Sequence, residues 1–370
     1  MIRRFTVARG ATAALIAVSI ALAGASVASA KAKKSSFPKS GVETPAPGTV
    51  TETGSSLIYP LFNLWAGGYS EKFSSVQIST GSTGSGTGIT DATDGTINIG
   101  ASDAYLPPTD AGSGLLNIPL AISAQIIVYN LPGITAHVQL TGSVLSQIYQ
   151  GKITTWNDPA ITALNPTLTL PSMPIVTLHR ADSSGDTFLF SSFLSDTDPN
   201  GWGKSLMFNT TITWPAAPGA LAETGNSGMV AGCGQTTGCI AYVGIAYLTQ
   251  ALQAKLGYAA LQNGAKQYEL PTAAAIAAEA ASFVKKTPAN GTISLIYGKA
   301  KGAYPIINYE YAIVKTAQTS STTAQSIRSV LEWAINPLDG NSTDYLSQVN
   351  FQALPTSVEA QSLKQIRSIQ

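Results

Sequence analysis

Beyond its first fifty residues the chain alternates short apolar runs with longer stretches of helical period. Val76-Gln77-Ile78-Ser79 switches between apolar and polar positions and predicts a strand. Residues 81–88 form a glycine-rich turn, and a helix is expected from Ile89 onward. Residues 97–100 read as a second strand, and the apolar run 121–130 as a strand buried on both faces. Residues 142–150 suit a helix entered through Thr141. Residues 175–178 predict a strand, followed by a Ser/Gly turn and a helix over 187–194. Another strand is expected at 240–245, and amphipathic helices at 273–286 and 323–336. This strand–turn–helix alternation predicts α/β layers with mostly parallel sheets. No internal repeat is visible.

A length of 370 residues points to two lobes or domains. Hydrophobic residues reach 44%, enough for sizeable cores, whereas charged residues are only 11%, well under the usual share of about a quarter. A net charge of +1 offers no basic stripe, so no nucleic-acid partner is expected. Arg3, Arg4 and Arg9 precede an apolar stretch from Ala11 to about Ala28, and Ala28-Ser29-Ala30 has the small residues of a cleavage site. Residues 1–30 therefore read as a secretory signal peptide, the competing reading being an uncleaved membrane anchor. Residues 31–48, with Lys, Ser and Pro and no period, read as a flexible linker. In an exported chain, Cys233 and Cys239 are expected to form a disulfide. With only His137 and His179 besides, a Cys/His zinc cage lacks ligands, and neither metal nor cofactor is expected.

The chemistry concentrates in turns that open helices. These are Gly54-Ser55-Ser56-Leu57-Ile58-Tyr59-Pro60, then Gly84-Ser85-Gly86-Thr87-Gly88, then the segment from His179 through Arg180, Asp182, Ser184 and Asp186 to Thr187. Helix N-termini expose unpaired N–H groups and the positive end of the dipole, and so receive anions. Each turn alone is equally an ordinary N-cap. The second is neither a G-x-G-x-x-G fingerprint nor a phosphate loop ending in G-K-[ST]. No G-x-S-x-G elbow is present. The segment Gly100-Ala101-Ser102-Asp103 places a carboxylate at a strand end. Hydroxyl and backbone donors, one arginine and acidic acceptors together suit an oxyanion that still carries protons. Phosphate near neutral pH does so, and sulfate does not. An ionised carboxylate only accepts hydrogen bonds, so Asp103 welcomes the first and opposes the second.

The ordered motifs TGSSLIYPLFNLW, GSTGSGTGI, INIGASDAYL, YNLPGI, LTGSVLSQIYQGKITTWNDPAI, ALNP, LHRADSSGDTFLF, GNSGMV, GCIAYVGIAYL and YPIINYEYAIV carry a resemblance. From about residue 50 to the end the chain resembles the PstS family, the phosphate-binding proteins of the phosphate-specific ABC transporter, in its actinobacterial branch. The resemblance implies a two-lobed α/β periplasmic-binding-protein fold of type II with two crossover strands at the hinge, near 125–130 and 304–309. It implies lobe I over 49–127 and 305–370, and lobe II over 128–304. Carried over by motif, Ser56 supplies a hydroxyl, Leu57 a backbone N–H, and Ser85 both. Asp103 accepts the phosphate proton. Arg180, held by Asp182, gives the charge-assisted pair, and Ser184 and Gly185 donate from a helix start. Asp186 stands where many relatives have Thr; its competing readings are a second proton acceptor and a carboxylate that favours the helix start.

The implied partners are inorganic phosphate and the permease subunits of the importer, with the receptor itself monomeric and not an enzyme. The many relatives that are tethered use a lipid-anchoring cysteine, and none stands near the cleavage site here. Export to the envelope, a periplasmic space or the medium is expected. The main rival class is a phosphatase, which would want a metal pair or an activated nucleophile. Binding of molybdate or sulfate, and adhesion, are further alternatives. Trp65, Trp156, Trp202, Trp214 and Trp333 are scattered along the sequence and are expected to pack rather than to stack on sugars.

Overall fold

The computed structural model describes residues 41–107 and 113–370, which fall in one unit spanning 35–370. The expected signal peptide and residues 31–40 of the expected linker lie outside the described residues. Residues 42–46 do not behave as a linker. Val42 packs on the core, and the Glu43 carboxylate takes two bonds from Arg328, from Nε and Nη2 at 2.8 Å each.

In chain order, β1 (Gly48–Gly54) leads to α1 (Tyr59–Lys72), with Pro60 in its first turn where a missing N–H costs nothing. Then come β2 (Val76–Ser79), α2 (Ser85–Asp94), β3 (Ile99–Ser102) and β4 (Leu115–Tyr129). The helix expected from Ile89 starts at Ser85 instead. Its glycines permit a close approach: a Cβ on Gly88 would stand 2.8 Å from Ala101 O, so α2 rests directly on β1 and β3. Next are β5 (Gln139–Leu140), α3 (Gly142–Tyr149), α4 (Pro159–Thr162), β6 (Val176–Arg180) and α5 (Gly185–Thr197). Thr141 caps α3 by accepting from Val144 N–H at 3.2 Å. β7 (Leu221–Glu223), α6 (Gly225–Gln235), β8 (Cys239–Gly244), α7 (Leu248–Gln253), β9 (Gly257–Tyr258), β10 (Ala260–Gln262) and β11 (Tyr268–Glu269) follow. The chain ends with α8 (Ala273–Phe283), β12 (Ile307–Lys315), α9 (Ser321–Ile335), α10 (Thr343–Leu346) and α11 (Thr356–Ile366).

The main sheet runs β2-β1-β3-β12-β4-β8-β6-β7, with β9 also on β4; β11-β10-β5 form a small second sheet. The flanks are parallel, β1 with β2 and β3, and β6 with β7 and β8. The centre is not. β12 is antiparallel to β3 and β4, and β4 is antiparallel to β8. The sheet is therefore mixed rather than mostly parallel, because two long central strands carry the chain between its halves. β4 pairs with β12 up to Ala124 and with β8 from Gln125. It is buried from Asn117 to Tyr129, which is why its sequence shows an apolar run instead of alternation.

Two further features fix the second half. Cys233, near the end of α6, is joined to Cys239 at the start of β8, with Cα atoms 5.3 Å apart. Trp202 and Trp214, far apart from Tyr149 in sequence, share one aromatic cluster with Tyr149, Phe190 and Tyr242. The tryptophans pack as expected, but these two are not scattered in space. No helix among the described residues is long and apolar enough to cross a membrane.

Candidate functional site

Three chain turns meet where the two halves of the sheet face each other. The first follows β1. Ser55 Oγ hydrogen-bonds Asp103 Oδ1 and accepts the Leu57 N–H at 3.0 Å. Ser56 Oγ accepts from Asn226 N–H at 3.2 Å and Nδ2 at 2.9 Å. The second turn opens α2, where Ser85 Oγ accepts the Asp103 N–H at 3.2 Å and donates to Asp103 Oδ2 at 3.4 Å. Asp103 itself follows β3 and is 1% exposed.

The third turn links β6 to α5. The Arg180 guanidinium, 1% exposed, donates from Nε to Asp182 Oδ1 at 2.7 Å, from Nη2 to Asp182 Oδ2, and from Nη1 to Asp186 Oδ2 at 2.9 Å. Two parallel bonds to one carboxylate fix the plane of the fork. Ser184 caps α5 by accepting from Thr187 N–H at 3.3 Å. Gly185 begins that helix against the opposite half: a Cβ there would lie 2.4 Å from Asp103 Oδ2 and 2.5 Å from Ser85 Oγ. Only glycine brings this backbone so near. Gly86 N–H donates to Ser183 O at 3.0 Å, a second bond across the same seam.

All the residues singled out by motif thus converge, Ser56, Leu57, Ser85, Asp103, Arg180, Ser184, Gly185 and Asp186, with Asp182 behind Arg180. Three participants carried no expectation. Gln125 Nε2 donates to Asp186 O at 2.8 Å and Oδ1 at 3.2 Å. Asn226 Nδ2 donates to Asp186 Oδ2 at 2.6 Å. Glu310, fully buried in β12, stands opposite Asp103, one step beyond the Tyr311–Ser102 pair of the antiparallel ladder. The visible signals were an amide opening GNSGMV, and a carboxyl inside the otherwise apolar YEYAIV strand, where an unpaired Glu is seldom buried.

Charge here is far from ordinary. Burial, and after it the charge of Asp186, pushes the Asp103 carboxyl up to about 7, against the opposing pull of Glu310, Ser55 and Arg180. Burial raises Asp186 too, although Arg180 draws it down. Burial works against the charge of Arg180, but Asp182 and Asp186 outweigh it and hold the group protonated. Asp182 keeps a lowered pKa because Arg180 overcomes its own burial. One cation therefore faces several carboxyls that accept hydrogen bonds, beside the N-termini of α2 and α5. Such a set suits a small anion that brings its own hydroxyl protons. His179 lies elsewhere, stacked on Trp214 at 5.0 Å. Among the described residues no group of three or more His, Cys, Asp or Glu is disposed to hold a metal ion.

Residues 41–337 match the family model of the PBP superfamily domain. Over 314 residues the chain is 32% identical to the phosphate-binding protein PstS of Xylella fastidiosa, covering 84% of this chain and 83% of that one. It is 29% identical over 309 residues to the phosphate-binding protein PstS 2 of Mycobacterium tuberculosis, covering 77% and 78% of the two chains. The crystal structure of a phosphate binding protein from Stenotrophomonas maltophilia matches with a TM-score of 0.63 at 18% identity, over 86% of this chain and 93% of that one.

Proposed function

This chain belongs to the PstS family of phosphate-binding proteins, and from that premise we propose that it captures inorganic phosphate outside the cytoplasm and delivers it to the permease subunits of an ABC importer. The fold is the two-lobed α/β fold of periplasmic binding proteins, and the family consists of transport receptors, not enzymes. We assign residues 49–127 and 305–370 to one lobe and 128–304 to the other. The change of partner along β4, from β12 to β8 after Ala124, supports a hinge there. The receptor acts as an exported monomer.

One observation carries the reading of the site: the start of α5 at Gly185 lies against Asp103 and Ser85 of the other half. Backbone donors, Arg180 and a carboxylate acceptor thus close on a common point. Ser56, Leu57, Ser85, Ser184 and Gly185 donate to phosphate oxygens, Arg180 supplies the charge, and Asp103 and Asp186 accept phosphate hydroxyls. Asp182 keeps the guanidinium in plane. Each half holds part of the set, so the ligand stabilises closure by its greater affinity for the closed form.

A thermal-shift screen with phosphate, sulfate, arsenate and molybdate tests this. A ligand that binds only the native state stabilises it by about 2.7 kcal/mol at a hundred times its Kd. Phosphate should raise the melting temperature, and sulfate should leave it unmoved. Equal shifts by both, or none by phosphate, would overturn the assignment.

A further inference from the structure

Glu310 has no place in the donor set described so far, yet it touches the residue that reads the ligand. It sits in β12, between β3 and β4, at a register irregularity: Glu310 pairs with Ala121 but Tyr311 with Pro119, skipping Leu120. Bulges of this kind re-aim a side chain. Its carboxyl is completely buried. From β4, Ser123 Oγ donates to Oε1, and from β12 itself Asn308 Nδ2 donates to Oε1 at 3.0 Å. The single Ser123 proton is shared with Asn308 Oδ1 at 2.6 Å. The Asn308 amide is oriented by its bond to Tyr309 O at 2.9 Å, so its Nδ2 faces Glu310.

Donors therefore reach only one of the two Glu310 oxygens. Oε2 is buried with no hydrogen-bond donor. Asp103 follows Ser102, the β3 partner of Tyr311, and so stands opposite Glu310 across the antiparallel ladder. Two carboxylates are both acceptors, and their contact becomes a hydrogen bond only when one carries a proton. With Oε1 already taking two donors, that proton belongs on Oε2. Beyond Asp103 lie Asp186 and Arg180, and Tyr311 adjoins Glu310 on its own strand. The carboxyls of Asp103, Asp182 and Asp186 share one guanidinium, and Glu310 adds a fourth carboxyl opposite Asp103. Leaving all of them ionised around a bound anion would be prohibitive.

We propose that Glu310 holds a proton and donates it to Asp103, which keeps Asp103 an ionised acceptor for the hydroxyl of bound phosphate and makes Glu310 a positioning residue that sets the alkaline limit of binding. The inference rests on the phosphate reading above. In the resting site the proton sits between Glu310 and Asp103. When phosphate arrives, the proton stays on Glu310 while Asp103 takes the ligand's hydroxyl bond. Burial and the neighbouring Asp103 both push the Glu310 pKa well above the usual carboxylate range, the direction that keeps the proton on Glu310. Once Glu310 loses it, a second negative charge lies behind Asp103 and the anion is repelled.

The test is phosphate affinity by calorimetry across the alkaline range, above the pH at which phosphate itself stops changing protonation. Wild-type protein, Glu310→Gln and Glu310→Ala are compared, with thermal melts to establish folding. The amide of Gln reproduces the neutral acid, with Nε2 toward Asp103 and Oε1 toward Ser123 and Asn308. Wild-type affinity should fall by about tenfold per pH unit once the proton is lost. Glu310→Gln should show no such fall, and should bind at least about tenfold more tightly than Glu310→Ala near neutrality. A folded Glu310→Gln protein that follows the wild-type profile, or is no better than Glu310→Ala, would overturn the proposal. Should neither variant fold, a wild-type affinity that stays flat across the same range would overturn it as well. Failure of the wild type to bind phosphate at any pH would instead remove the reading on which the proposal rests.

Discussion

Asn226 Nδ2 lies 2.9 Å from Ser56 Oγ, joining the first turn of α6 to the turn that opens α1 across 170 residues of sequence. The same nitrogen donates to Asp186 Oδ2 at 2.6 Å, and Asn226 Oδ1 accepts the Gly244 N–H at 2.7 Å. The amide is fully engaged, and one of its bonds spans the two halves.

Asn226→Ala should therefore weaken the closed form more than the fold. It leaves the Gly244 N–H without its acceptor, at a cost on the order of 1–3 kcal/mol, and removes one of the donors that Ser56 Oγ and Asp186 Oδ2 each share with another group. We expect phosphate affinity to drop by roughly 1–2 kcal/mol, mainly as faster dissociation, since interface changes act mostly on off-rates. Stopped-flow displacement of bound phosphate checks this; an unchanged off-rate would deny Asn226 a part in closure.

Arg180→Ala should cost more. The guanidinium is the one cation among the buried carboxyls of the site, and its removal leaves Asp182 and Asp186 without their counter-charge. Loss of one member of a buried, hydrogen-bonded charge pair typically costs about 2–5 kcal/mol of binding. Arg180→Lys should recover only part of it, because an ammonium cannot reproduce the two parallel bonds to Asp182. Titration calorimetry of both variants with phosphate decides, and near-native affinity in Arg180→Ala would remove the residue from the site.

Asp103→Asn should blur the choice between anions. The buried Asp103 carboxylate accepts and cannot donate, whereas the amide can donate to sulfate. The ratio of phosphate to sulfate affinity should shrink by at least about tenfold, which corresponds to about 1.4 kcal/mol. Competition calorimetry with the two anions measures the ratio, and an unaltered ratio would place the discrimination elsewhere.

The site was legible in the sequence where its chemistry is local. Ser85, Ser184 and Gly185 announce themselves as helix starts, and Arg180-Ala181-Asp182 places an ion pair within one turn. Asp103 follows a short strand in a motif that can be read directly. Glu310, Gln125 and Asn226 stayed hidden because their partners are supplied by tertiary register. Nothing in Tyr309-Glu310-Tyr311 tells that β12 lies between β3 and β4, the only placement that brings Glu310 to Asp103. The start of α2 was misjudged because Gly and Thr are weak helix formers, and the close seat against Ala101 overrides propensity. Strand direction is equally absent from an apolar pattern, so the antiparallel centre of the sheet emerged only from the pairing of β4 and β12.

The raised carboxyls also dictate how stability responds to pH. Asp103 is pushed up to about 7 by burial and by Asp186, from an ordinary value of 3.8. The folded protein therefore holds this proton more tightly than the unfolded chain does. Where the native state binds more protons, stability falls as pH rises. The contribution is complete below about pH 4 and is lost progressively up to about pH 7. Burial raises Asp186 and Glu310 in the same direction. Asp182, lowered by Arg180, acts oppositely, but only as the pH drops below the ordinary carboxylate range. Between pH 5 and pH 8 the ligand-free protein should thus lose melting temperature, by on the order of a few degrees. Asp103→Asn, which has no proton to lose, should flatten the slope, and phosphate should restore stability to the wild type at pH 8 by binding the native state alone. Scanning calorimetry at several pH values tests the sign directly. A ligand-free protein whose melting temperature climbs from pH 5 to pH 8, or an Asp103→Asn variant with the same slope as the wild type, would mean that Asp103 titrates as an ordinary exposed carboxylate.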